Sequence, residues 1–437
     1  MKCIRCDTDN NLEDRTSNEG RCKNCNHPFA FEPTTMDYPK FTDPFFAKVL
    51  QDISAQNTLC FTPKQLFYFL DQRLKQKTFG GIGGAYSFVY RFGVVVLIIM
   101  IIFATSDEIY GLLLGITILS LFLIFSLFKL SNDSESNYRV RRSSATSLKV
   151  LGIFIVIVGI GPSLYINSIL LYSLTTIIFL VAFWLGFIQQ RRIAQIPQTF
   201  FISAAQMQGW LYSWARANGS ISQLLPPPSN ALSPAAQSNL PDPNVTAYSF
   251  DRVVVCQSDA IAQMLIANNF HFENGCAILS ISGYPQRIFE TTMQMLRRNR
   301  SLKVFAFHDC SPQDMGLVYQ LRTANWFPDS NVAIVDIGLS PRQILATKGG
   351  MFIQNSKASA QAAKNLPPQI RENLSNQELQ WLDKGNFVEL ESFTPQRLIQ
   401  VLNRSITNSQ QMDTVDDGSF ILIEDSDRYI YVSDSFG

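Results

Sequence analysis

The sequence predicts a multidomain protein in four parts: a small β module, a short helical segment, a region of four α-helices that cross a membrane, and an α/β domain with a parallel sheet. Three observations carry this. Two CxxC pairs open the chain, four charge-free apolar runs follow, and short apolar strands alternate with helices beyond Phe250. The expected boundaries are 1–34 for the cysteine module, 41–80 for the helical segment, 87–190 for the membrane helices, 191–247 for a helix and Pro-rich linker, 248–408 for the α/β domain and 409–437 for an acidic tail.

Cys3-Ile4-Arg5-Cys6 and Cys22-Lys23-Asn24-Cys25 are separated by fifteen residues. Each CxxC turn aims two thiolates at one point, and two such knuckles complete a tetrahedral zinc site. Asn10-Asn11 and Asn18-Glu19-Gly20 supply turn residues for the short hairpins of a zinc ribbon. A redox dithiol would need only one pair. Four thiolates leave no open coordination position, so the zinc is structural. Ribbons of this kind contact protein or nucleic acid. His27 follows the fourth cysteine and is surplus to the ligand set, a surface residue.

In the helical segment, Phe45, Phe46, Val49, Leu50 and Ile53 recur at three and four, forming one amphipathic face. Thr62-Pro63 starts a second helix, with threonine as N-cap and proline in the first turn. Leu66, Phe67, Tyr68, Phe69, Leu70 and Leu74 lie along it. Taken alone, Tyr68 reads as a core or interface aromatic.

The apolar runs are 92–104, 109–128, 150–166 and 169–188. Two reach the length of about 20 residues that crosses a hydrocarbon core, and the first can extend to Ser87 if Arg91 snorkels. Soluble helices carry a polar face, and these have none. Cations cluster before the first run, between the second and third, and after the fourth, whereas 105–108 and 163–168 carry none. The positive-inside rule then puts both termini in the cytoplasm, in an integral membrane protein of four spans surrounded by lipid. Met1 leads straight into the cysteine motif, with no cleavable signal peptide expected. The remaining cysteines, Cys60, Cys256, Cys276 and Cys310, lack metal spacing and read as buried small residues.

After the fourth run, 204–218 reads as a helix, followed by Pro226-Pro227-Pro228 and further prolines to Pro243. The expected strands of the α/β domain are 252–256, 276–282, 304–308 and 332–337, with helices at 260–268, 286–298 and up to Leu321. Ligands of such folds sit at the carboxyl ends of the strands, where Gln257, Gly283 and Asp309 fall.

The order of these features resembles the Toprim domain of the topoisomerase VI A subunit and its meiotic break-forming relatives. In that family one strand ends in a glutamate, a later one leads into Gly-x-Pro, and a third ends in Asp-x-Asp-Pro-x-Gly. This chain has Val255-Cys256-Gln257, Gly283-Tyr284-Pro285 and Asp309-Cys310-Ser311-Pro312, with Gly316 beyond. Ile337-Gly338-Leu339-Ser340-Pro341 is similar to the family's Gly-Leu-x-Pro segment, and 379–391, with Lys384-Gly385 and Glu389, to its late helix and acidic stretch. Residues 62–74 are similar to the winged-helix element that carries the attacking tyrosine, here Tyr68. The resemblance implies catalytic roles for Tyr68 and Asp309, a metal-holding site at Gln257, Gly283, Ser311 and Glu389, a DNA substrate and a homodimer.

The departures point away from catalysis. Magnesium prefers anionic oxygens, yet the glutamate position holds Gln257 and the second aspartate position Ser311. Asp309 keeps the pattern and Asp314 is shifted off it. Between Arg191 and Arg404, eighteen basic residues face fourteen acidic ones, a net of +4, and the tail from Asn408 carries −6. A near-neutral domain is a weak phosphate binder, so nucleic acid is the less favoured partner. The sequence thus favours a membrane-anchored binding or scaffold protein over a strand-breaking enzyme using Tyr68 and Asp309. The ribbon or the acidic tail would take a protein partner, although a hairpin expected in the tail at 420–432 reads first as an addition to a sheet edge and second as a contact for a basic partner. A transporter is disfavoured because no ionisable residue lies inside the runs.

Overall fold

The computed structural model describes residues 1–79, 109–133, 138–165, 169–193, 196–228, 251–298, 302–323, 326, 332–347 and 351–412. The first apolar run, most of the Pro-rich linker and the expected tail hairpin lie outside them. The chain forms two compact units. One comprises Met1–Asp71, Ile202–Ala346 and Gln354–Ile430, the other Gln72–Phe201, Thr347–Ile353 and Tyr431–Gly437.

In the first unit, helix α1 (Leu12–Ser17) sits inside the cysteine module, where hairpins were expected; strand pairing reduces to the isolated bridges Lys2–Asp9 and Arg21–Pro28. The reason is local. Asn11 caps the helix, accepting from the Asp14 N–H while Asp14 accepts from the Asn11 N–H. Helix α2 (Asp43–Ile53) buries the predicted face, Phe46, Val49, Leu50 and Ile53. Helix α3 (Pro63–Phe79) starts where Thr62 and Gln65 cap each other reciprocally.

The second unit contains α4 (Ile109–Ser131), α5 (Tyr138–Tyr165) and α6 (Ile169–Arg192). Helix α5 begins twelve residues earlier than its apolar run, because nothing between Tyr138 and Val150 breaks a helix. Arg139, Arg141 and Arg142, expected in a loop, lie in its first turns. Leu123, Ile124 and Leu127 of α4 pack against Leu148 and Leu151 of α5 and Ile178 and Ala182 of α6. Helices α5 and α6 run antiparallel and approach closely: a Cβ on Gly159 would meet Thr175 Cγ2 at 2.5 Å. Among the described residues one segment, Tyr172–Arg192, is long and apolar enough to cross a membrane, and Ser120–Ser131 is apolar but shorter.

After the chain re-enters the first unit, α7 (Ala204–Asn218) carries Trp210 and Trp214. The α/β region then runs β1 (Arg252–Cys256), α8 (Asp259–Ala267), α9 (Phe270–Asn274), β2 (Cys276–Ser280), α10 (Gln286–Arg298), β3 (Lys303–Phe307), α11 (Leu317–Thr323) and β4 (Ala333–Asp336). All four strands fall where the sequence puts them. They pair in parallel, in the order β2-β1-β3-β4. Strand residues alternate between two cores. Val254, Cys256, Phe305 and Phe307 pack with Ile261 and Leu265 of α8. Val253, Val255, Val304 and Ala306 pack with Met293 and Leu296 of α10 and Leu317 of α11.

Beyond the sheet follow α12 (Pro341–Ala346), β5 (Gln354–Asn355), α13 (Lys357–Lys364), α14 (Pro368–Glu372), α15 (Asn376–Asp383), β6 (Asn386–Phe387) and α16 (Pro395–Met412). Within 379–391, read as a late helix and an acidic stretch, the helix ends at Asp383, where Gly385 takes a left-handed conformation. The short ladder β5–β6 replaces its second half. Helix α16 covers the first sheet core with Leu398, Leu402 and Ile406.

Candidate functional site

Two groups of side chains in the first unit could carry chemistry. In the amino-terminal module, Cys3, Cys6, Cys22 and Cys25 bring their sulfurs within 4.8 Å of one another, so this set could hold one metal ion. Cys3 Sγ lies 3.7 Å from Cys25 Sγ, and Cys6 Sγ 3.6 Å from Cys22 Sγ. A tetrahedron of zinc–sulfur bonds of about 2.3 Å has edges of roughly 3.8 Å, so the donor set and its spacing fit zinc. Asn10 supports it by donating from Nδ2 to Cys22 Sγ at 3.5 Å while its Oδ1 accepts from the Lys23 N–H. His27 is no ligand; its Nε2 is hydrogen-bonded to Asn218 Oδ1 at 2.8 Å.

The module is built into the unit. Asp43 of α2 accepts from the Ala30 and Phe31 N–H groups at 2.9 Å each. Phe31 packs on Phe41, Phe46 and Trp214, and Phe41 meets Trp210 edge-on. A face buried this way is not offered to a partner.

The second group lies beyond the carboxyl end of β3. The backbone of Cys310 exchanges two hydrogen bonds with Val388, at 2.9 and 3.0 Å, and so draws the 388–391 segment to the sheet. Asp309 Oδ1 accepts from the Leu390 N–H at 2.7 Å. Helix α3 reaches the same place. Thr62 Oγ1 donates to Glu391 at 2.9 Å, and Gln65 Nε2 to the Phe393 carbonyl at 3.1 Å. In the first turn of α3, Lys64 Nζ donates to Glu389 Oε1 at 2.8 Å and stands 3.5 Å from Glu391 Oε2. Tyr68, only 1% exposed, donates its hydroxyl proton to Glu389 Oε2 and accepts from Gln354 Nε2.

Tyr68, Asp309 and Glu389, named from sequence as separate candidates, therefore share one cluster within a single chain. The other three make no direct hydrogen bond to Tyr68, Asp309 or Glu389 among the described residues. Gln257 follows β1, its N–H bonded to the Phe307 carbonyl at 3.0 Å and its Oε1 buried without a hydrogen-bond partner there. Gly283 lies in the turn after β2, and its N–H bonds to the Ser280 carbonyl. Ser311 Oγ donates to Asp314 Oδ2 at 2.5 Å, so this hydroxyl restrains the shifted aspartate.

Lys64 and Glu391 were not singled out from sequence. A lysine in a first helical turn reads as solvated, and only the folded contacts show otherwise. His308 and Asp336 were also missed. Asp336 ends β4, His308 directly follows the neighbouring β3, and they meet at 3.0 Å between Nε2 and Oδ1. Their positions on paired parallel strands were a usable signal.

Burial dominates the electrostatics of this cluster. Burial, reinforced by the Glu389 charge, pushes the Tyr68 phenol far above its usual range, so it stays a donor. Burial pushes the Asp309 carboxyl up to about 7; the Leu390 N–H opposes this, Asp314 and Glu389 add to it, and Lys64 opposes it. Burial likewise raises Asp314 and Glu391. Burial disfavours the Lys64 ammonium, yet Glu389 and Glu391 hold its pKa above the ordinary lysine value.

Asp309 thereby makes stability depend on pH. Between its unfolded value of 3.8 and about 7 the folded state binds the extra proton, so stability falls as pH rises through that window. Asp309→Asn keeps the acceptor for Leu390 and removes the proton. Urea unfolding midpoints at pH 4.5 and 7.5 should fall less steeply in this variant than in the wild type. Equal slopes would show that Asp309 titrates normally.

The residues fit magnesium poorly. An ammonium already contacts two of the acids, and Gln257 and Ser311 offer a neutral amide and a hydroxyl. Among the described residues, the four cysteines are the group of His, Cys, Asp or Glu whose ligand atoms converge on one point. Compared with known proteins, the chain matches no family model and no curated sequence.

Proposed function

We propose that the protein is a membrane-anchored, cytoplasmic-facing binding or scaffold protein in which a zinc ribbon and a Toprim-like α/β domain form one module without strand-breaking activity. The single observation that carries this is the state of Tyr68. Its hydroxyl is buried, hydrogen-bonded on both sides, and faces a carboxylate that is already neutralised by Lys64. A nucleophile needs a deprotonated or activated oxygen that substrate can reach. Tyr68 offers neither.

The anchor is read as four spans between residues 87 and 190 with both termini inside. Large apolar side chains stand exposed on all three described long helices, among them Phe122 and Phe125 of α4, Ile153 and Ile157 of α5, and Leu180 and Trp184 of α6. Water would penalise such a surface and lipid would not. Arg191 and Arg192 end α6, and Arg139, Arg141 and Arg142 open α5, which supports a common cationic side. Of the partners open to such a module, protein is favoured over nucleic acid, given the near-neutral charge. The zinc ribbon and the acidic tail are the two candidate contacts for such a partner. A homodimer rests on the family resemblance alone.

A second reading, a membrane-tethered strand breaker using Tyr68 and a metal at Asp309, is favoured by one fact: Tyr68, Asp309 and Glu389 share a cluster in one chain. Incubation of purified protein with supercoiled DNA and magnesium or manganese separates the two. The wild type and Tyr68→Phe should both leave the DNA intact, and Tyr68→Phe should lose about 1 kcal/mol of stability with its hydrogen bond. Metal-dependent nicking by the wild type that disappears in Tyr68→Phe would overturn the proposal.

A further inference from the structure

We propose that one face of the α5–α6 pair, where Lys149 and Arg191 share the ring of Phe187, binds the phosphate of an anionic phospholipid. Such a site rests on the membrane-anchored reading above and gives that anchor a lipid preference.

Two neighbouring helices build the site. Gly186 of α6 opens a path for the Lys149 side chain of α5: a Cβ on that glycine would lie 2.7 Å from Lys149 Cγ and 3.0 Å from the Ala145 carbonyl oxygen. The lysine stem therefore lies directly on α6. Its ammonium stands 5.8 Å from the centre of the Phe183 ring and 5.3 Å from that of Phe187. One turn beyond Phe187, Arg191 places its guanidinium 4.3 Å from the centre of the same ring. Both cations are within the range at which an aromatic face attracts positive charge. Lys149 Nζ also donates to Gln190 Oε1 at 2.5 Å, and Gln190 Nε2 donates to Thr146 Oγ1 at 3.0 Å. That chain of hydrogen bonds ties the ammonium to both helices.

What the arrangement calls for is an anion. Two cations on one ring repel each other. Among the described residues no carboxylate lies within ion-pair distance of either, and the Arg191 side chain has no hydrogen-bond acceptor. An ammonium has three hydrogens to donate and Gln190 takes one of them. A phosphate diester accepting from both cations would relieve the repulsion through charge-assisted hydrogen bonds, roughly twice as strong as neutral ones.

Position selects a lipid as the source of that phosphate. Lys149 immediately precedes the apolar run 150–166, and Arg191 closely follows the run 169–188. The two cations thus mark the border between the polar helix ends and the oily faces. Phe183, Trp184 and Phe187 stand exposed beside them. A phospholipid satisfies both halves at once, its headgroup on the cations and its acyl chains on the rings. Free phosphate would leave the rings uncovered. The net charge of the headgroup matters as well, because the ammonium of a zwitterionic lipid opposes binding next to two cations.

The test uses the full-length, zinc-loaded protein, stripped of lipid in neutral-detergent micelles at physiological salt. Phosphatidylglycerol, phosphatidylcholine or inorganic phosphate is added, and the melting temperature and the bound lipid in native mass spectrometry are both read. Phosphatidylglycerol should bind and raise the melting temperature by about 3 °C or more, and the other two should leave it flat. Lys149→Met and Arg191→Gln should each weaken phosphatidylglycerol binding about tenfold. Lys129→Met removes an exposed cation from the last turn of α4 and should change it by less than about twofold. Arg191 is exposed at the end of its helix, so Arg191→Gln decides the matter if Lys149→Met does not fold. Equal affinity for phosphatidylcholine, a shift with inorganic phosphate alone, or equal losses in Lys129→Met and Arg191→Gln would overturn the proposal. Washing membranes with alkaline carbonate keeps the two readings apart. Protein that stays in the pellet yet ignores phosphatidylglycerol sinks the lipid site alone, whereas protein released by the wash sinks the anchor.

Discussion

Replacing Cys22 with serine should release one zinc ion per chain and destabilise the first unit by an amount of the order of 5 kcal/mol or more. Cys22 is fully buried, and its sulfur is held from both sides, by Cys6 at 3.6 Å and by the Asn10 amide. The module has little else to hold it together. It has two single-bridge strand pairs, the six-residue helix α1, and an Arg15–Glu32 ion pair at 2.8 Å whose arginine also satisfies the Asn10 carbonyl. Domains this small rarely bury enough apolar surface to fold without a metal or cross-links. The damage should spread. Phe31 lies near the end of the module and packs against α2 and Trp214 of α7, so a loosened module uncovers that aromatic cluster. Elemental analysis and tryptophan fluorescence melts should therefore change together. Wild-type protein purified without chelator and free of zinc would refute the assignment.

Gly385→Ala is expected to cost about 3–5 kcal/mol, the largest effect of any single methyl group added to the α/β region. Two penalties combine there. The residue has φ of +84°, where an alanine pays about 1–2 kcal/mol. A Cβ would also lie 2.3 Å from the Ser356 carbonyl oxygen and 3.1 Å from Ala360 Cβ, and the nearer of these is backbone that cannot swing aside. The carbonyl of Gly385 meanwhile accepts from the Ser356 N–H at 3.0 Å, so the two strands of the β5–β6 ladder would be forced apart. Gly219 is the control. Its φ is +86° and nothing lies within 4 Å of where a methyl group would project, so Gly219→Ala should lose only the conformational part. Chemical denaturation midpoints measure both, and equal losses would show that the Ser356 contact is not limiting.

The parts of the fold that are legible in sequence are those set by local pattern. Runs such as Arg252–Cys256 are too short and too apolar to be anything but buried strands, and the alternation with helices dictates their parallel pairing. The CxxC spacing leads directly to four converging sulfurs. Helix α1 was missed although its signal is present, an asparagine followed three residues later by an aspartate. The cluster around Tyr68 is not legible as a unit. Tyr68 and Glu389 are 321 residues apart, and no periodicity reports a contact at that separation. Nor does a lysine at the start of a helix announce that it will neutralise two glutamates from the far end of the chain. The late helix ends at Asp383 because Lys384-Gly385 contains in its glycine a stop signal of its own.

The first unit is interrupted in sequence: its opening 71 residues and its sheet are separated by 130 residues that belong to the other unit. The main-chain amide of Ile202 bonds to Asp71 at 3.2 Å, which closes the gap where the chain returns. On a ribosome adding about 5–20 residues per second, the helix bearing Tyr68 and Lys64 emerges roughly 15–60 seconds before Glu389 exists. Throughout that interval Tyr68 and Lys64 lack the Glu389 carboxylate that they meet in the folded chain. Biogenesis must therefore shelter a half-built module, and a nascent chain stalled between Asp71 and Ile202 would be the form most exposed to quality-control proteases.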